Sequence, residues 1–233
     1  GIDNLEHGFG AMTDFVPGRR PDTCPLDRLG TLLDTIDPDA PEVSELIAHL
    51  VERDVALTST LVVFEDMTPG AARLGEPARA LLSPSALATY DAIHQLIDRA
   101  DAARGAANMA KMMRLERMFV EAGGTLLAGS DPTGAGGALP GFASIRQIQL
   151  LVEAGLGFEQ AVRIGSLNGA CYLGREREVG SVEVGKRADL ILVDGDPLAN
   201  PAALERIATV FKAGIGYDRQ ALLDSARGLV GHR

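Results

Sequence analysis

The stretch GTLLAGSD, residues 124–131, consists of a short apolar segment followed directly by polar residues. Residues 125–128 have the composition of a buried β-strand, and Asp131 stands just past its carboxyl end. A glycine-rich loop continues from Pro132 to Gly141. In parallel α/β folds, functional side chains collect just past the carboxyl ends of strands. The stretch therefore predicts one strand of a parallel sheet with a candidate functional carboxylate at its end.

The first residues, GIDNLEHG at 1–8, repeat this arrangement with a histidine. Residues 2–6 are a candidate strand, and His7 follows it directly. A neutral imidazole and a carboxylate are usual ligands of a catalytic zinc, and a carboxylate can also take a proton from water activated by the metal. On the local pattern alone, His7 also suits a structural role and Asp131 a helix cap or turn. Glu6 is a candidate partner for His7, although strand alternation points the two side chains apart.

Helical and strand patterns alternate between these two segments. We predict a proline-rich loop over 7–40, a helix over 41–53, a strand over 55–64, an irregular stretch over 68–84 and mostly helix over 85–121. A methionine-rich stripe in the last of these is expected in the core. Helices over 144–154 and 158–173 follow Asp131. Such alternation predicts βα units and a parallel sheet, but three strands are too few to close an eight-stranded barrel.

The tail has a different, strand-rich pattern. Residues 181–184 alternate, a Gly-Lys turn follows, and 188–193 read as a buried strand. We predict that 181–193 form a hairpin that shares one small sheet with a strand at 207–211. A terminal helix is predicted over 218–227.

Composition narrows the class of partners. The chain has 233 residues and a formal net charge of −10, which argues against nucleic acid and against an anionic membrane surface. No apolar run reaches the length of about 18 residues typical of a membrane span. The charge balance says nothing specific about small substrates. A small-molecule substrate and a possible homo-oligomer are the expected partners. Cys24 and Cys171 are predicted to be free thiols, with Cys171 buried on a helix.

Taken in order, these motifs resemble the amidohydrolase superfamily, in particular its imidazolonepropionase-like and prolidase-like branch. The segment GIDNLEHG resembles the family's strand six, whose histidine is a metal ligand. The segment GTLLAGSD resembles strand eight, whose aspartate binds metal and acts as general base. Residues 145–174 resemble the helices after strand eight. The most specific match is VGSVEVGKRADLILVDGDPL at 179–198, which resembles the return of the chain to a small β-domain. Its matching positions, which are structural, are Gly180, Gly185, Lys186, Ala188, Asp189, Leu190 and Asp194.

The resemblance implies an α/β fold. Residues 1–178 would be the C-terminal part of a metal-dependent (β/α)8 TIM barrel, with strands six to eight and the following helices. Residues 179–233 would be part of a small β-sandwich domain with a terminal helix. It also implies one or two divalent metal ions, expected to be zinc, with His7 and Asp131 as ligands and Asp131 as general base. The implied activity is hydrolysis of a carbon–nitrogen bond, in an amide, a cyclic amide or a dipeptide. Substrate-binding residues at the mouth are predicted to be Arg19, Arg20, Thr133 and Gly134.

The departures from the family are equally informative. The 233 residues contain no counterpart of the family's strand-one His-x-His, its strand-four residue, often a carboxylated lysine, or its strand-five histidine. His49, His94 and His232 are interpreted as surface or packing residues. We therefore expect sequence upstream of Gly1 in the intact protein, so that localisation stays open, and expect this chain alone to be inactive. The alternatives are a non-catalytic truncated relative and a lyase or isomerase on the same scaffold. The proline-rich loop and the residues from 71 to 121 are expected to form a lid over the site.

Overall fold

The first sheet of the molecule is parallel, as predicted. The computed structural model describes residues 1–11, 15–16, 18, 20, 23, 32–132 and 136–231. Strands β1 (Asn4–Glu6), β2 (Ala56–Ser59) and β3 (Leu126–Ala128) lie in the order β1-β2-β3. Both neighbouring pairs are parallel, and Leu57 lies opposite Leu5 on one side and Leu126 on the other. The carboxyl ends of the three strands therefore share one edge.

Strand β2 is shorter than predicted, and the second half of the predicted strand 55–64 was wrong. The chain turns at Thr60 into a short helix, α3 (Leu61–Asp66). Leu61, Val62 and Val63 are buried within it. A short apolar run suits a buried strand and a buried helical turn equally well. The contact that decides between them is tertiary, because the Val62 N–H donates to Gln147 Oε1 at 3.0 Å.

Helices fill the connections between the strands and follow the last of them. The predicted helices 41–53 and 144–154 are confirmed to within two residues, and the predicted helical region 85–121 divides into two. The longer of these begins where Asp101 Oδ1 accepts hydrogen bonds from the N–H groups of Ala103 and Arg104. None of the described helices is long and apolar enough to cross a bilayer. The helices up to residue 172 are α1 (Leu32–Thr35), α2 (Pro41–Glu52), α3, α4 (Glu76–Arg79), α5 (Pro84–Ile97), α6 (Ala102–Glu121), α7 (Phe142–Glu153), α8 (Phe158–Arg163) and α9 (Gly169–Tyr172), with a 3-10 turn at Gly8–Ala11 and a π-helical turn at Ile164–Asn168.

Two expectations for the loops need correction. The predicted irregular stretch 68–84 contains helix α4, and the predicted loop 7–40 contains helix α1 and the 3-10 turn. Helix α4 is anchored by a small second cluster, in which Ala78, Leu82, Tyr90 and Leu139 are buried together. This cluster joins the excursion between β2 and β3 to the loop after β3.

One hydrophobic core lies between the sheet and helices α2, α3, α6 and α7. Phe9, Leu57, Phe119 and Leu151 are fully buried in it, and each such side chain contributes roughly 1.5–3 kcal/mol of burial free energy. Met112 is also fully buried, and Met109, Met113 and Met118 pack against the same core. The prediction that the methionine stripe is core packing is therefore confirmed.

The tail forms a second, antiparallel sheet in the order β4 (Leu190–Val193), β5 (Ile207–Lys212) and β6 (Ile215–Asp218). The predicted pairing of 188–193 with 207–211 is confirmed. The predicted hairpin over 181–193 was wrong, because the hairpin is β5–β6, closed at Ala213-Gly214. A 3-10 turn at Pro201–Glu205 precedes β5, and helix α10 (Arg219–Ala226) follows β6.

The alternating residues 181–184 form no strand because their apolar side chains have nothing to pack against. Val182 and Val184 are exposed, and the segment is held instead by polar contacts of the Lys186 ammonium with Ser181 and Glu183. The predicted burial of Cys171 was also wrong. Cys171 is an exposed free thiol on α9, where its neighbour Ala170 is the residue that faces inward. Cys24 lies outside the described residues.

Candidate active site at the carboxyl edge of the parallel sheet

Three polar side chains stand at the shared carboxyl edge of the parallel sheet. His7 follows β1 directly, Thr60 follows β2, and Asp131 comes three residues after β3. The parallel register brings them together although they are far apart in the chain. The predicted placement of His7 and Asp131 at one end of the sheet is therefore what the structure shows.

His7 and Asp131 face each other across a short gap. The distance from His7 Nδ1 to Asp131 Oδ2 is 3.9 Å, and the side chains are 41% and 35% exposed. The same ring nitrogen lies 3.0 Å from Thr60 Oγ1, and the ring makes an edge-to-face contact with Phe64 at 6.1 Å between centroids. An imidazole ring and a carboxylate therefore lie side by side at a point that solvent reaches.

Both residues hold an unusual backbone conformation. His7 has a φ of 66° and Asp131 has a φ of 38°. Both values lie in the left-handed region, which residues other than glycine rarely adopt. Such a conformation costs on the order of 1 kcal/mol per residue and persists where the surrounding fold demands it. Strained residues of this kind cluster at functional sites. The conformation turns both chain segments sharply at the sheet edge.

A buried carboxyl lies directly beneath this edge. Glu116 on α6 is fully buried, and its Oε2 accepts a hydrogen bond from Ser59 Oγ at 2.6 Å. Its other oxygen, Oε1, has no hydrogen-bond partner and sits against Gly8, where a side chain of any size would collide with it. Burial raises the pKa of Glu116 to about 8, although the bond from Ser59 opposes the shift. Glu116 is therefore mainly protonated at neutral pH.

The interpretation of Asp131 as a helix cap or turn stays an alternative, because residues 133–135 lie outside the described residues. The next described helix is α7, which starts at Phe142 with Gly141 at its N-cap. Glu6 does not contact the His7 ring in the described contacts. Its carboxylate accepts hydrogen bonds from Asn4 and Thr58 instead, as strand alternation predicts.

The structure describes few of the predicted mouth residues. Arg20 is exposed. Arg19, Thr133 and Gly134 lie outside the described residues, so their predicted role at the mouth stays a prediction. His49 is exposed on α2, as expected, while His94 is buried and paired with Asp66.

The donor set partly fits a divalent metal. One imidazole and one carboxylate within 3.9 Å have the chemistry that zinc prefers. In the parts of the chain that the structure describes, no group of three or more His, Cys, Asp or Glu residues is arranged to hold an ion. Catalytic zinc sites use three protein ligands. The described residues therefore supply one side of a metal site and not all of it.

Thr60 and Glu116 are the residues of this site that sequence reasoning missed. Thr60 was hidden because the predicted strand ran through it to residue 64. The sequence offers one indication of its role. Thr60 ends a β-branched run and precedes Leu61, and a threonine in this position is also common at the start of a helix. Glu116 was hidden because a glutamate on an amphipathic helix is ordinarily exposed.

Comparison with known proteins identifies the family of this chain. The family model described as "Amidohydrolase family" matches residues 31–215, which is most of the chain. The chain therefore belongs to the amidohydrolase family. The matched region includes β2, β3 and Asp131, and it begins after His7.

Two curated relatives match over short segments. A 5'-deoxyadenosine deaminase of Methanobrevibacter smithii is 46% identical over 50 residues, which are 22% of this chain and 12% of that protein. An imidazolonepropionase of Shouchella clausii is 39% identical over 59 residues, which are 24% of this chain and 13% of that protein.

Solved structures share the fold over almost the whole chain. A bottromycin amidohydrolase matches 96% of this chain and 49% of its own length, with 20% identity and a TM-score of 0.64. A Xaa-Pro dipeptidase matches 94% of this chain and 40% of its own length, with 21% identity and a TM-score of 0.54. This chain thus spans half or less of the length of the relatives and structures it matches.

Proposed function

We propose that this chain is part of a metal-dependent hydrolase that cleaves a carbon–nitrogen bond with a metal-activated water. The observation that carries the proposal is the meeting of His7 and Asp131 at the carboxyl edge of the parallel sheet, 3.9 Å apart and open to solvent. Membership of the amidohydrolase family supports the reaction class. The relatives named as a deaminase and an imidazolonepropionase support it as well.

The metal is proposed to be zinc, as one or two ions, held in this chain by His7 and Asp131. These two donors are one fewer than a catalytic zinc requires. The solved structures that share the fold are at least twice as long as the part matched by this chain. We propose that the remaining ligands lie outside the 233 residues. The 233-residue chain alone is then expected to bind zinc weakly and to hydrolyse nothing.

The proposed architecture follows the same reasoning. Residues 1–178 contain the three parallel strands and their helices, and they would form the last part of a (β/α)8 barrel. Residues 179–233 contain the antiparallel sheet and α10, and they would form part of an appended β-sandwich. In such barrels the active site lies at the carboxyl ends of the strands, which is the edge occupied by His7, Thr60 and Asp131.

Each residue has a distinct proposed role. When bound, a divalent ion would polarise the attacking water and the scissile group. His7 helps to hold the ion through a ring nitrogen. Asp131 takes a proton from the attacking water and passes it to the leaving nitrogen, since its carboxylate is exposed enough to meet both. Arg19, Arg20, Thr133 and Gly134 are proposed to contact substrate at the mouth.

The proposed substrate is a small molecule with an amide, cyclic amide or dipeptide bond. An interpretation limited to carbon–nitrogen bonds other than peptide bonds would be too narrow, because a Xaa-Pro dipeptidase is among the solved structures with this fold. Dipeptides therefore belong in any substrate panel together with amides, cyclic amides and amino-substituted purines.

The experiment that tests the proposal uses the whole protein of which this chain is a part. Zinc content and hydrolysis across that panel are measured for the wild type, His7→Ala and His49→Ala. His49 is an exposed histidine on α2, so it controls for the loss of an imidazole. We expect His7→Ala to lose zinc and turnover while His49→Ala keeps both. Full zinc occupancy and wild-type turnover in His7→Ala would contradict the proposal.

The same protein separates the rival functions. Absence of bound zinc and of any turnover favours a non-catalytic relative. A lyase or isomerase is recognised by turnover in ¹⁸O-labelled water without incorporation of the label, whereas a hydrolase places the label in its product. Zinc-dependent hydrolysis by the purified 233-residue chain would refute the proposal that the missing ligands lie outside it.

A further inference from the structure

The hydroxyl of Thr60 is used in an unusual way. Thr60 is buried and occupies the N-cap position of α3. A threonine at an N-cap ordinarily accepts a hydrogen bond from an N–H of the first helical turn through its hydroxyl. Thr60 makes no such bond. Its Oγ1 lies 3.0 Å from His7 Nδ1 instead.

A second residue takes over the capping of α3. The Val62 N–H donates to Gln147 Oε1 at 3.0 Å, and the Val63 N–H donates to the Thr60 carbonyl at 3.0 Å. Gln147 is 1% exposed and is fixed at its other end, where Nε2 donates to Ser59 Oγ at 2.7 Å. Gln147 thus satisfies the helix terminus from α7, and the Thr60 hydroxyl is left free to face His7.

The Thr60 side chain is also held in one orientation. Its methyl lies near Gly129, which follows β3. A Cβ atom at position 129 would lie 3.5 Å from Thr60 Cγ2. Because the methyl occupies the Gly129 side, the hydroxyl is directed to the His7 side. A β-branched residue has few χ1 alternatives, so the hydroxyl keeps this placement as long as Gln147 caps α3.

We propose that Thr60 is a positioning residue that holds the neutral His7 ring with its proton on Nδ1 and leaves the Nε2 lone pair for a metal. In a neutral imidazole one nitrogen donates and the other carries a lone pair. Two side-chain oxygens face Nδ1, Thr60 Oγ1 at 3.0 Å and Asp131 Oδ2 at 3.9 Å. An ionised carboxylate only accepts, so Asp131 favours a proton on Nδ1. The Thr60 hydroxyl, at hydrogen-bond distance, can accept that proton's hydrogen bond and so holds the ring in this form. The metal part of this inference rests on the proposed function, while the tautomer part stands without it.

The test of the tautomer uses the metal-free 233-residue chain with ¹⁵N-labelled histidine. Long-range ¹H–¹⁵N correlation spectra, recorded at about pH 8 so that a typical imidazole is neutral, distinguish a protonated Nδ1 from a protonated Nε2. His7→Ala identifies the His7 resonances. We expect the Nδ1–H form in the wild type and in Thr60→Ser, which keeps the hydroxyl. Thr60→Val, which is nearly isosteric, should shift the ring toward the Nε2–H form.

Two further variants make the result specific. Thr58→Val removes a hydroxyl two residues earlier, within β2. That hydroxyl contacts Asn4 and Glu6, so the variant should leave the tautomer unchanged. Gln147→Met cannot accept from the Val62 N–H, so the Thr60 hydroxyl should turn to cap α3 and His7 should respond as in Thr60→Val. If Thr60→Val does not fold, Thr60→Ala and Gln147→Met carry the test. An unchanged Nδ1–H tautomer in every folded variant that lacks or diverts the hydroxyl overturns the proposal.

Zinc affinity of the whole protein separates this inference from the proposed function. Thr60→Val should weaken zinc binding by about 10- to 100-fold, as loss of a partner behind a ligand histidine typically does, and Thr60→Ser should restore it. A protein that binds no zinc, but whose His7 tautomer follows Thr60, refutes the proposed function and leaves the positioning role standing. Zinc binding that is indifferent to Thr60, with an indifferent tautomer, refutes the positioning role alone.

Discussion

The molecule contains two histidine–aspartate pairs, and they differ in almost every physical respect. In the pair at the sheet edge, His7 Nδ1 and Asp131 Oδ2 are 3.9 Å apart with side chains 41% and 35% exposed. In the other pair, His94 Nε2 and Asp66 Oδ1 are 2.8 Å apart with side chains 5% and 8% exposed. The residues of the first pair are exposed to solvent and have a strained backbone, whereas the residues of the second pair are buried.

The buried pair has its polar groups satisfied within the chain. His94 Nδ1 faces the Tyr90 carbonyl at 2.8 Å, and Asp66 Oδ2 accepts from the Gly137 N–H at 3.0 Å. This pair joins helices α3 and α5 to the loop after β3. Its ring nitrogens and carboxylate oxygens are already used in these contacts and are not available to a ligand. The exposed pair with the longer separation is therefore the better candidate for catalysis, while the buried pair with the short contact stabilises the fold.

The largest expected effect comes from breaking the exposed pair chemically. In the whole protein, Asp131→Asn should lower kcat by about 10²- to 10⁴-fold, because an amide cannot act as a base. The melting temperature should change little, since the change is nearly isosteric and the side chain is partly exposed. Asp3→Asn is the matched control, because Asp3 lies at the opposite end of the same sheet. Near-normal kcat in Asp131→Asn would end the catalytic assignment.

Breaking the buried pair should have the opposite outcome. Asp66→Ala leaves His94 without its carboxylate and the Gly137 N–H without its acceptor. A buried hydrogen-bonding group that loses its partner costs about 1–3 kcal/mol, and two such groups are left here. Urea denaturation of the 233-residue chain measures the loss, with Asp131→Ala as the comparison. If Asp131→Ala destabilised the chain as much as Asp66→Ala, the distinction between the two pairs would be lost.

A smaller effect is expected on the pH dependence of stability, because Glu116 lies buried beneath the exposed pair. Its pKa is raised from 4.5 to about 8 in the folded state by burial. The unfolded chain therefore loses this proton at a lower pH than the folded chain, so stability falls as pH rises between these values and levels off above the folded pKa. From about pH 5.5 to 7.5, the loss should amount to about 2–3 kcal/mol.

The measurement is urea denaturation at both pH values for the wild type and Glu116→Gln. The glutamine has the same shape and cannot ionise, so its stability should change less over this range. Asp and Glu carboxyls with lowered pKa values, such as Asp34 and Asp189, titrate below this window and do not confound it. Equal pH dependence of the two proteins would show that Glu116 is ionised in the fold.

Local patterns were sufficient for much of the fold. The apolar strands that precede His7 and Asp131, the helix from Pro41 and the methionine-rich helix were all predicted from periodicity. Their parallel pairing followed from the alternation of strands and helices. The convergence of His7 and Asp131 also followed, because parallel strands end at the same edge.

Other features could not be read from the sequence because they depend on remote partners. The apolar run after Thr60 became a helix since Gln147, far along the chain, satisfies its first turn. The alternating residues 181–184 stayed outside the sheet since nothing covers Val182 and Val184. His94 was interpreted as a packing residue, and only the fold showed that Asp66 pairs with it.

The sequence by itself determined the family, the order of the elements and the two residues that stand at strand ends, since these depend on short-range pattern and motif. Tertiary structure alone decided which polar side chains face solvent and which are buried. Hydrogen bonding of Thr60, Glu116 and Asp66 depends on distances between segments that are remote in the chain. A buried polar group without a partner is energetically costly. Contacts between remote segments therefore decide which polar residues stabilise the fold and which remain at the candidate site.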